Sequence, residues 1–352
     1  MEEYRLYTIK DLKDWILDGR SNEGLSKSII TSTRAYSFIN NPYVTDEMPV
    51  VSALFVEGEL AAYTAAFPER LRKPNCLTHW FNSLFVDPKY EGKGYGMFVL
   101  GSLMECYGND PVFDLDAVDT SVQILAYLGL QSTSFTQYDF RNKNINRNSW
   151  KGEVAFYFDR ILRARRSKSR FLEKSIKGSS YTLEYDDFVD AEAYEFIITH
   201  SKGDAFLRER EALNWMLRFP FVHEAPIKER VRSSNLFSSA KTKQRYFVVK
   251  VLVKSELIGV YVLCDSSTRL SLLGFYYEPN YLDEVLYSIV QHIMRLDNPS
   301  FSTTDKNVAD FIRKKRLFLI DKDTRPSFCY PKEFNGINKK QIQGWDGDMF
   351  LN

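Results

Sequence analysis

Residues 82–103 of this 352-residue chain are NSLFVDPKYEGKGYGMFVLGSL, and the prediction for the whole chain rests first on this segment. The apolar run Ser83–Val86 is typical of a β-strand, because aromatic and β-branched residues favour a pleated surface. Pro88 ends that strand, since proline has no N–H for a continuing ladder. A glycine-spaced turn over Glu91–Gly96 then leads into a predicted helix from Met97. Strand, glycine turn and helix start together favour a phosphate site, because glycines let the backbone approach an anion and the helix start offers free N–H groups.

Two nucleotide-binding signatures do not fit this turn. A dinucleotide-binding GxGxxG that used Gly92 and Gly94 would need a third glycine at position 97, which is Met97. A Walker loop requires Ser or Thr after its Gly-Lys pair, but Gly94 follows Lys93. An ordinary glycine-rich turn between a strand and a helix stays open as the plain alternative.

Composition indicates a globular protein of two domains, since domains usually have roughly 100–200 residues. The formal net charge is +1, which argues against a broad nucleic-acid surface. No apolar run approaches the roughly 20 residues that span a bilayer, and the acidic start Met1–Tyr4 lacks the layout of a signal peptide. Four scattered cysteines without a CxxC pair are expected to be reduced thiols in a cytoplasmic protein. Histidines are isolated, so we expect no metal site.

The first 160 residues predict the element order β-α-(α)-β-β-β-α-β-α-β. Apolar alternation, helical spacing and turn residues define these segments. The predicted strands are Tyr4–Ile9, a hairpin over Val50–Phe67 with its turn at Glu57–Glu59, Thr78–Val86, Pro111–Asp116, and a last strand or pair over Ser132–Phe140 and Val154–Phe158. A helix over Val122–Leu130 is expected to stop at Gly129.

The remainder of the chain reads as a second copy of the same plan. Gly274–Tyr281 lies over Ser83–Tyr90, so that a proline and a tyrosine coincide in the two segments. Where the first copy has its glycine turn, Leu282–Tyr287 has no glycine and carries Asp283 and Glu284, whose charge opposes phosphate at a helix start. A chance similarity of β-α patterns is the alternative.

The predicted division gives a first unit over residues 1–162, a basic linker over 163–179 and a second unit over 180–352. The basic run before Gly178 is also compatible with an arm for an acidic partner. A solvated interdomain helix and linker is the simpler interpretation.

The turn resembles the pyrophosphate-binding signature of the GNAT acetyltransferases, V-x-P-x-[YF]-[RQ]-G-x-G-[IY]-[GA]. Val86–Tyr90 and Gly92–Gly96 match it, whereas Glu91 stands where the family has Arg or Gln. The resemblance covers roughly residues 3–160. It implies an α/β protein with mixed sheets, built of two acyl-CoA N-acyltransferase (GNAT) folds in tandem, the second one degenerate.

The resemblance further implies that the first copy binds acetyl-CoA as a cosubstrate. In this family the pantetheine arm lies where strand four and the next strand splay apart, and it pairs with strand-four backbone, here Leu84, Phe85 and Val86. Backbone N–H groups of the turn hold the pyrophosphate and the lysine adds charge, which assigns that role to Gly92, Lys93, Gly94, Tyr95 and Gly96.

The implied reaction is direct transfer: an amine attacks the thioester, a base takes its proton, and an acid protonates the leaving thiolate. The family's acid is commonly a Tyr four residues before a helix-ending glycine, and Leu125 stands there. Tyr127, two positions further, is the candidate acid, with packing as its alternative. His79 and Asp116 are the candidate bases, with a structural histidine and a helix cap or solvated strand end as their alternatives.

We therefore expect an N-acetyltransferase that moves an acetyl group from acetyl-CoA to a primary amine of a small molecule, such as an amino sugar. A non-catalytic acyl-CoA-binding or scaffold protein and a FemAB-like aminoacyl transferase are the alternatives. We expect no nucleic-acid and no membrane partner, and a homodimer is compatible with the sequence. Trp345 beside Asp346 fits either the lining of an interdomain cleft or a turn with an anchored Trp.

Overall fold

The computed structural model describes residues 1–18, 30, 32–141, 150, 154, 157, 161, 181–219, 223–224, 240–241, 244–266, 269–296, 298–335, 337 and 342–347. The strands are β1 (Glu2–Thr8), β2 (Pro49–Val56), β3 (Glu59–Arg72), β4 (Asn75–Val86), β5 (Val112–Leu115), β6 (Gln131–Ser134), β7 (Gln137–Arg141), β8 (Tyr181–Asp186), β9 (His223–Glu224), β10 (Ala240–Lys241), β11 (Gln244–Val253), β12 (Glu256–Ser266), β13 (Leu270–Tyr277), β14 (Ser300–Thr303), β15 (Ile320–Thr324) and β16 (Ser327–Tyr330). The helices are α1 (Ile9–Leu17), α2 (Ser32–Ile39), α3 (Tyr95–Tyr107), α4 (Asp119–Tyr127), α5 (Ala191–His200), α6 (Arg210–Arg218), α7 (Leu282–Leu296) and α8 (Lys306–Lys315).

The fold contains two seven-stranded mixed sheets. The first has the order β1-β2-β3-β4-β5-β16-β6, and the second has the order β8-β11-β12-β13-β14-β7-β15. In each sheet the fourth and fifth strands are parallel, whereas the other neighbouring strands are antiparallel. The equivalence of the two orders confirms the predicted repeat.

Each sheet receives one strand from the other half of the chain. β16 lies between β5 and β6 in the first sheet, and β7 lies between β14 and β15 in the second. Both strands are buried along most of their length, which suits a central position. The linker predicted over residues 163–179 lies outside the described residues, so the division of the chain there stays a prediction.

One shared core lies between the two sheets. Trp80 and Phe113 of the first sheet belong to the same apolar cluster as Val262 and Tyr276 of the second. Helices α1, α2, α5 and α6 supply further residues to this cluster, while α3 with α4 and α7 with α8 cover the two outer faces. The two halves therefore stabilise each other through burial of apolar surface.

The strand predicted over Val154–Phe158 is wrong for its described residues, because Val154 and Tyr157 are helical. Trp150 and Ile161 are helical as well. Within the described part of the chain, no helix has the length and apolar character needed to cross a bilayer.

Candidate functional site

A gap opens in the first sheet between β4 and β5. The two strands pair only at His79 with Val112 and at Trp80 with Phe113. Beyond that point β4 continues beside β3 to its end, while β5 turns toward β16. One edge of the backbone over Leu84–Val86 therefore faces the gap without a strand partner among the described residues, and an extended ligand can pair with it.

A bulge in β4 marks the base of this gap. The register between β3 and β4 shifts at Thr64 and Ala65, and Ser83 has a left-handed φ of 64°. Arg34 of α2 donates from Nη1 to Asn82 Oδ1 (3.2 Å) and to Ser83 Oγ (2.8 Å). These bonds fix the bulge and, with it, the direction of the open strand end.

The glycine turn lies directly after the open end of β4. Gly92 and Gly94 have φ values of 78° and 79°, a region that favours glycine. The N–H of Phe98 donates to the carbonyl of Gly94 (3.0 Å), so the N–H groups of Tyr95–Met97 have no partner within the helix. The N–H of Lys93 donates to the carbonyl of Tyr90 (3.3 Å). Gly96 packs closely under the end of β4, where a Cβ would lie 3.1 Å from Val86 Cγ2.

One of the two lysines at the glycine turn is available to contact an anionic ligand. Lys89 is paired with Glu59, whereas Lys93 forms no ion pair among the described residues and lies 5.0 Å from the Tyr90 ring centroid. Lys93 is exposed and can reach an anion at the helix start. Glu91, the departure from the family pattern, is exposed as well.

His79 lies away from the gap opening. Its ring stacks on Tyr107 of α3 at 3.5 Å, and Nε2 lies 3.4 Å from Asp110 Oδ2. Burial lowers the pKa of His79 to about 4, although Asp110 opposes the shift. Since the bulge comes four residues later on β4, this geometry favours a structural role.

Replacing His79 with Gln tests that role through the pH dependence of stability. The folded-state pKa lies below the unfolded value, so the stabilisation is present above pH 6.5 and is lost as the pH falls toward 4. We expect the wild type to lose about 2–3 kcal/mol more of its unfolding free energy than His79→Gln over this range. Chemical denaturation at several pH values measures the difference, and parallel curves would contradict the assignment.

The position at which the family usually has its catalytic acid has no ionisable side chain. Leu125 is fully buried against α3 and the first sheet, and Tyr127 is the last residue of α4 with 78% of its surface exposed. The helix spacing that separates these two residues turns their side chains to different sides. The exposed position of Tyr127 does not support a catalytic role for it.

Asp116 lies where β5 ends, across the gap from the open end of β4. It has a φ of 58°, and its N–H donates to the carbonyl of Ser327 of β16 (2.9 Å). The predicted helix-cap role is not observed, because α4 begins after Val118 without a side-chain cap. Among the described residues the Asp116 carboxylate has no hydrogen-bonded or ion-paired partner. Partial desolvation raises its pKa, and Arg269 opposes the shift.

Asp116 lines a cavity of about 320 Å³ between the two halves, which we call the interdomain cavity. Besides Asp116, its polar lining includes Gln137, Arg269, Ser271, Ser302 and Thr304. Of the three predicted catalytic residues, Asp116 is the one that the structure brings to this cavity. The hydroxyl-bearing residues come from the second half, and no local pattern in the sequence marks them.

The equivalent gap in the second sheet is occupied at its base. β13 and β14 pair only at Leu270 with Phe301 and at Ser271 with Ser302. The segment around Trp345 enters there, and the N–H of Trp345 donates to the carbonyl of Leu273 (3.1 Å). A Cβ on Gly274 would lie 2.8 Å from the Trp345 ring, so this strand accepts the ring because it has a glycine there.

The upper part of the second gap is unsuited to a diphosphate. A cavity of about 600 Å³ there has three carboxylates in its lining, those of Asp204, Glu278 and Asp305. Its basic residues are Lys202 and His200, of which His200 is bonded to Glu278. Burial raises the pKa of Asp204 to about 6. At the start of α7 the side chains of Asp283 and Glu284 add further negative charge. These charges, together with the Trp345 ring, agree with the predicted loss of the cofactor site in the second copy.

A buried cluster of three charges joins the two halves under β4. Arg208 donates from Nη1 to Asp346 Oδ1 (2.6 Å) and is ion-paired with Glu69, which also accepts from Trp80 Nε1 (2.7 Å). One guanidinium faces two carboxylates in a dry site, so burial raises the pKa of Asp346 to about 7 and raises that of Glu69. The sequence could not reveal this cluster, because its members lie far apart along the chain.

No protein-family model matches the chain, and no curated protein matches its sequence. By structure it is similar to a GCN5-related N-acetyltransferase from Anabaena variabilis, with a TM-score of 0.50, 9% identity, and coverage of 93% of this chain and 72% of that one. It is also similar to Saccharomyces cerevisiae N-myristoyltransferase with bound myristoyl-CoA, with a TM-score of 0.51, 10% identity, and coverage of 94% and 78%. A third similar structure is the glucosamine N-acetyltransferase region of a fungal multi-domain β-N-acetylglucosaminidase, with a TM-score of 0.50, 10% identity, and coverage of 94% and 38%. The chain thus has two GNAT folds in tandem, as the sequence predicted.

Proposed function

We propose that the first GNAT fold binds acyl-CoA and transfers its acyl group to a primary amine of a small acceptor. The observation that carries this proposal is the gap between β4 and β5, which opens directly beside the glycine turn at the start of α3. An extended thioester cofactor needs both features together: an open strand edge for its arm and free N–H groups for its diphosphate.

The proposed cofactor contacts follow from these features. Backbone groups of Leu84, Phe85 and Val86 pair with the pantetheine arm, and the turn over Gly92–Gly96 holds the diphosphate. Lys93 adds a charge-assisted contact, since it has no ion pair of its own among the described residues. These assignments rest on the family resemblance, on the open edge of β4 and on the left-handed φ values of the turn glycines.

A short acyl group, acetyl in the first instance, suits the base of the gap. Trp80 and Phe113 are fully buried at that point, and their ring centroids are 5.1 Å apart. These buried rings close the gap at its base, which favours a short acyl group over a long chain such as the myristoyl group bound to the yeast N-myristoyltransferase.

The chemistry does not require a positioned acid. Coenzyme A leaves as a thiolate, and a thiol with a pKa near that of cysteine, about 8.5, departs without prior protonation. Leu125 at the usual acid position is compatible with this. Asp116 lies at the end of β5, and its carboxylate has no hydrogen-bonded or ion-paired partner among the described residues, so we assign it as the proton acceptor. His79 and Tyr127 receive no role in the proposal.

Release of free CoA thiol from acetyl-CoA, measured with a panel of primary amines, tests the proposal. We expect amine-dependent release by the wild type and an unchanged rate for Tyr127→Phe, because that side chain is exposed away from the gap. Tight acetyl-CoA binding without release for any amine would instead support a non-catalytic acyl-CoA-binding protein, the alternative that Leu125 and Glu91 favour. The glycine turn disfavours the FemAB-like alternative, since those transferases do not usually keep such a turn.

A further inference from the structure

We infer that residues 345–347, which we call the closing segment, set the upper limit on the length of the acyl group. The closing segment lies across the inner side of the first gap, the side that faces the second half of the chain. The inference rests on the proposed function and adds a specificity determinant to it, supplied from a distant part of the chain.

Leu115 borders the gap at the level where it begins to open. The last pair between β4 and β5 joins Trp80 to Phe113. Two residues further along, the same register would place Leu115 opposite Asn82, but Leu115 pairs with Phe328 of β16 instead. The side chain of Leu115 therefore stands beside the space that a ligand in the gap would enter.

Gly347 lies over this level of the gap on its inner side. It is buried, and a Cβ added to it would clash with Leu115 Cδ1 and lie 3.1 Å from Trp80 Cε3. Trp80 and Leu115 belong to the apolar cluster between the two sheets, so their side chains are on the inner face. One backbone segment therefore spans the side chains of both strands at the point where the strands separate.

Three hydrogen bonds hold the closing segment in this position. The N–H of Trp345 donates to the carbonyl of Leu273 in the second sheet (3.1 Å). Asp346 Oδ1 accepts from Arg208 Nη1 (2.6 Å), and Asp346 Oδ2 accepts from the N–H of Gln343 (2.7 Å). Asp346 and Arg208 are both buried, where charge-assisted hydrogen bonds are strong. The closing segment is therefore a fixed wall of the gap.

Apolar side chains bound the other directions at the same level. Along the strands stand the rings of Trp80 and Phe113, and the Phe206 ring packs edge-on against both, with centroid distances of 5.0 and 5.4 Å. On the outer face, Phe81 is buried in the cluster that α3 and α4 share with the sheet. An acyl chain that follows the open edge of β4 toward the bulge thus meets rings ahead of it and on the outer face, and meets Leu115 with the closing segment on the inner side.

Glycine at position 347 lets the closing segment lie this close to the gap. Its φ of 63° is left-handed, and the missing Cβ leaves room for the Leu115 side chain. This contact also defines how the length limit can be moved. A smaller residue at position 115 opens space beside the gap, and a methyl group on residue 347 fills part of that space again.

Calorimetric titration with acetyl-CoA and pentanoyl-CoA tests the inference on the 352-residue chain and needs no acceptor amine. Pentanoyl-CoA adds three carbons to the acyl group, the number that Leu115→Ala removes. We expect the wild type to bind acetyl-CoA about tenfold more tightly than pentanoyl-CoA, and Leu115→Ala to bind pentanoyl-CoA about tenfold more tightly than the wild type does. Adding Gly347→Ala to Leu115→Ala should restore the preference for acetyl-CoA, because the new methyl group occupies space that Leu115 left.

Leu286→Ala is the matched control. Leu286 of α7 and Leu115 are both 4% exposed, but Leu286 belongs to the apolar cluster under α7 and α8 in the second half. We expect this variant to keep the preference of the wild type. Leu115→Val, which removes one carbon and leaves a smaller cavity, is the milder companion to Leu115→Ala and should improve the binding of propanoyl-CoA about fourfold.

Three outcomes are decisive against the inference or its premise. Equal affinities for acetyl-CoA and pentanoyl-CoA in the wild type, or a Leu115→Ala variant with the same preference as Leu286→Ala, would overturn the length limit while acyl-CoA binding keeps the proposed function intact. A double variant with the same profile as Leu115→Ala would show that residue 347 does not limit the acyl group. Absence of binding of either acyl-CoA to the wild type would overturn the proposed function itself.

Discussion

Replacing Gly94 with Asp is expected to weaken acetyl-CoA binding about 100-fold, a loss of about 3 kcal/mol. The new carboxylate would stand at the start of α3, where the free N–H groups and Lys93 are proposed to face the diphosphate. Nothing lies within 4 Å of a Cβ on Gly94, so the side chain has room. The φ of 79° costs the variant about 1 kcal/mol of stability, which leaves the chain folded.

Gly129→Asp is the matched control for this experiment. Gly129 also has a left-handed φ, 97°, is exposed, and would have nothing within 4 Å of an added Cβ. It follows α4, which runs back along the sheet, so it lies at the edge opposite the glycine turn. Calorimetric titration of both variants separates the two effects. Equal acetyl-CoA affinities would show that the turn over Gly92–Gly96 is not the diphosphate site.

Replacing Arg208 with Ala is expected to lower the unfolding free energy by about 3–5 kcal/mol, because Glu69 and Asp346 would stay buried without a counter-charge. Arg208 also stabilises the contact between the two halves through Trp80, whose ring lies 5.7 Å from its guanidinium carbon. Chemical denaturation of the variant at pH 7 measures this loss.

Arg313→Ala provides the comparison. Arg313 of α8 faces three carboxylates, those of Asp310, Asp321 and Asp323, but at a solvent-accessible site, where such pairs contribute about 1 kcal/mol or less each. A triple variant, Glu69→Gln with Arg208→Met and Asp346→Asn, should recover much of the stability that Arg208→Ala loses, because it removes all three charges together. Equal losses for Arg208→Ala and Arg313→Ala would contradict the assigned cost of the buried cluster.

The glycine turn and the repeat were predictable because both are local patterns. Strand, proline, glycines and helix start occupy one continuous segment, and the absence of glycine over Leu282–Tyr287 is visible by comparing two segments of one sequence. Each conclusion needs residue types and spacing alone. These local patterns were sufficient to predict two copies of the same fold.

The strand exchange was not predictable, since an apolar alternation identifies a strand but not its neighbour. β7 and β16 are short, and each pairs with strands from the other half of the chain. The strand prediction failed at Val154 and Tyr157, which are helical, because a short apolar run fits either period. The interdomain cavity was not predictable for a similar reason. Asp116 and Thr304 line one cavity only because the two sheets pack together.

We propose that of the two GNAT folds only the first copy binds the cofactor. Calorimetric titration of the wild-type chain with acetyl-CoA tests this most directly, because it yields the number of sites as well as the affinity. We predict one molecule per chain, since Trp345 fills the base of the second gap and carboxylates line the rest. Two molecules per chain, or no binding at concentrations that saturate ordinary acyl-CoA enzymes, would contradict the account.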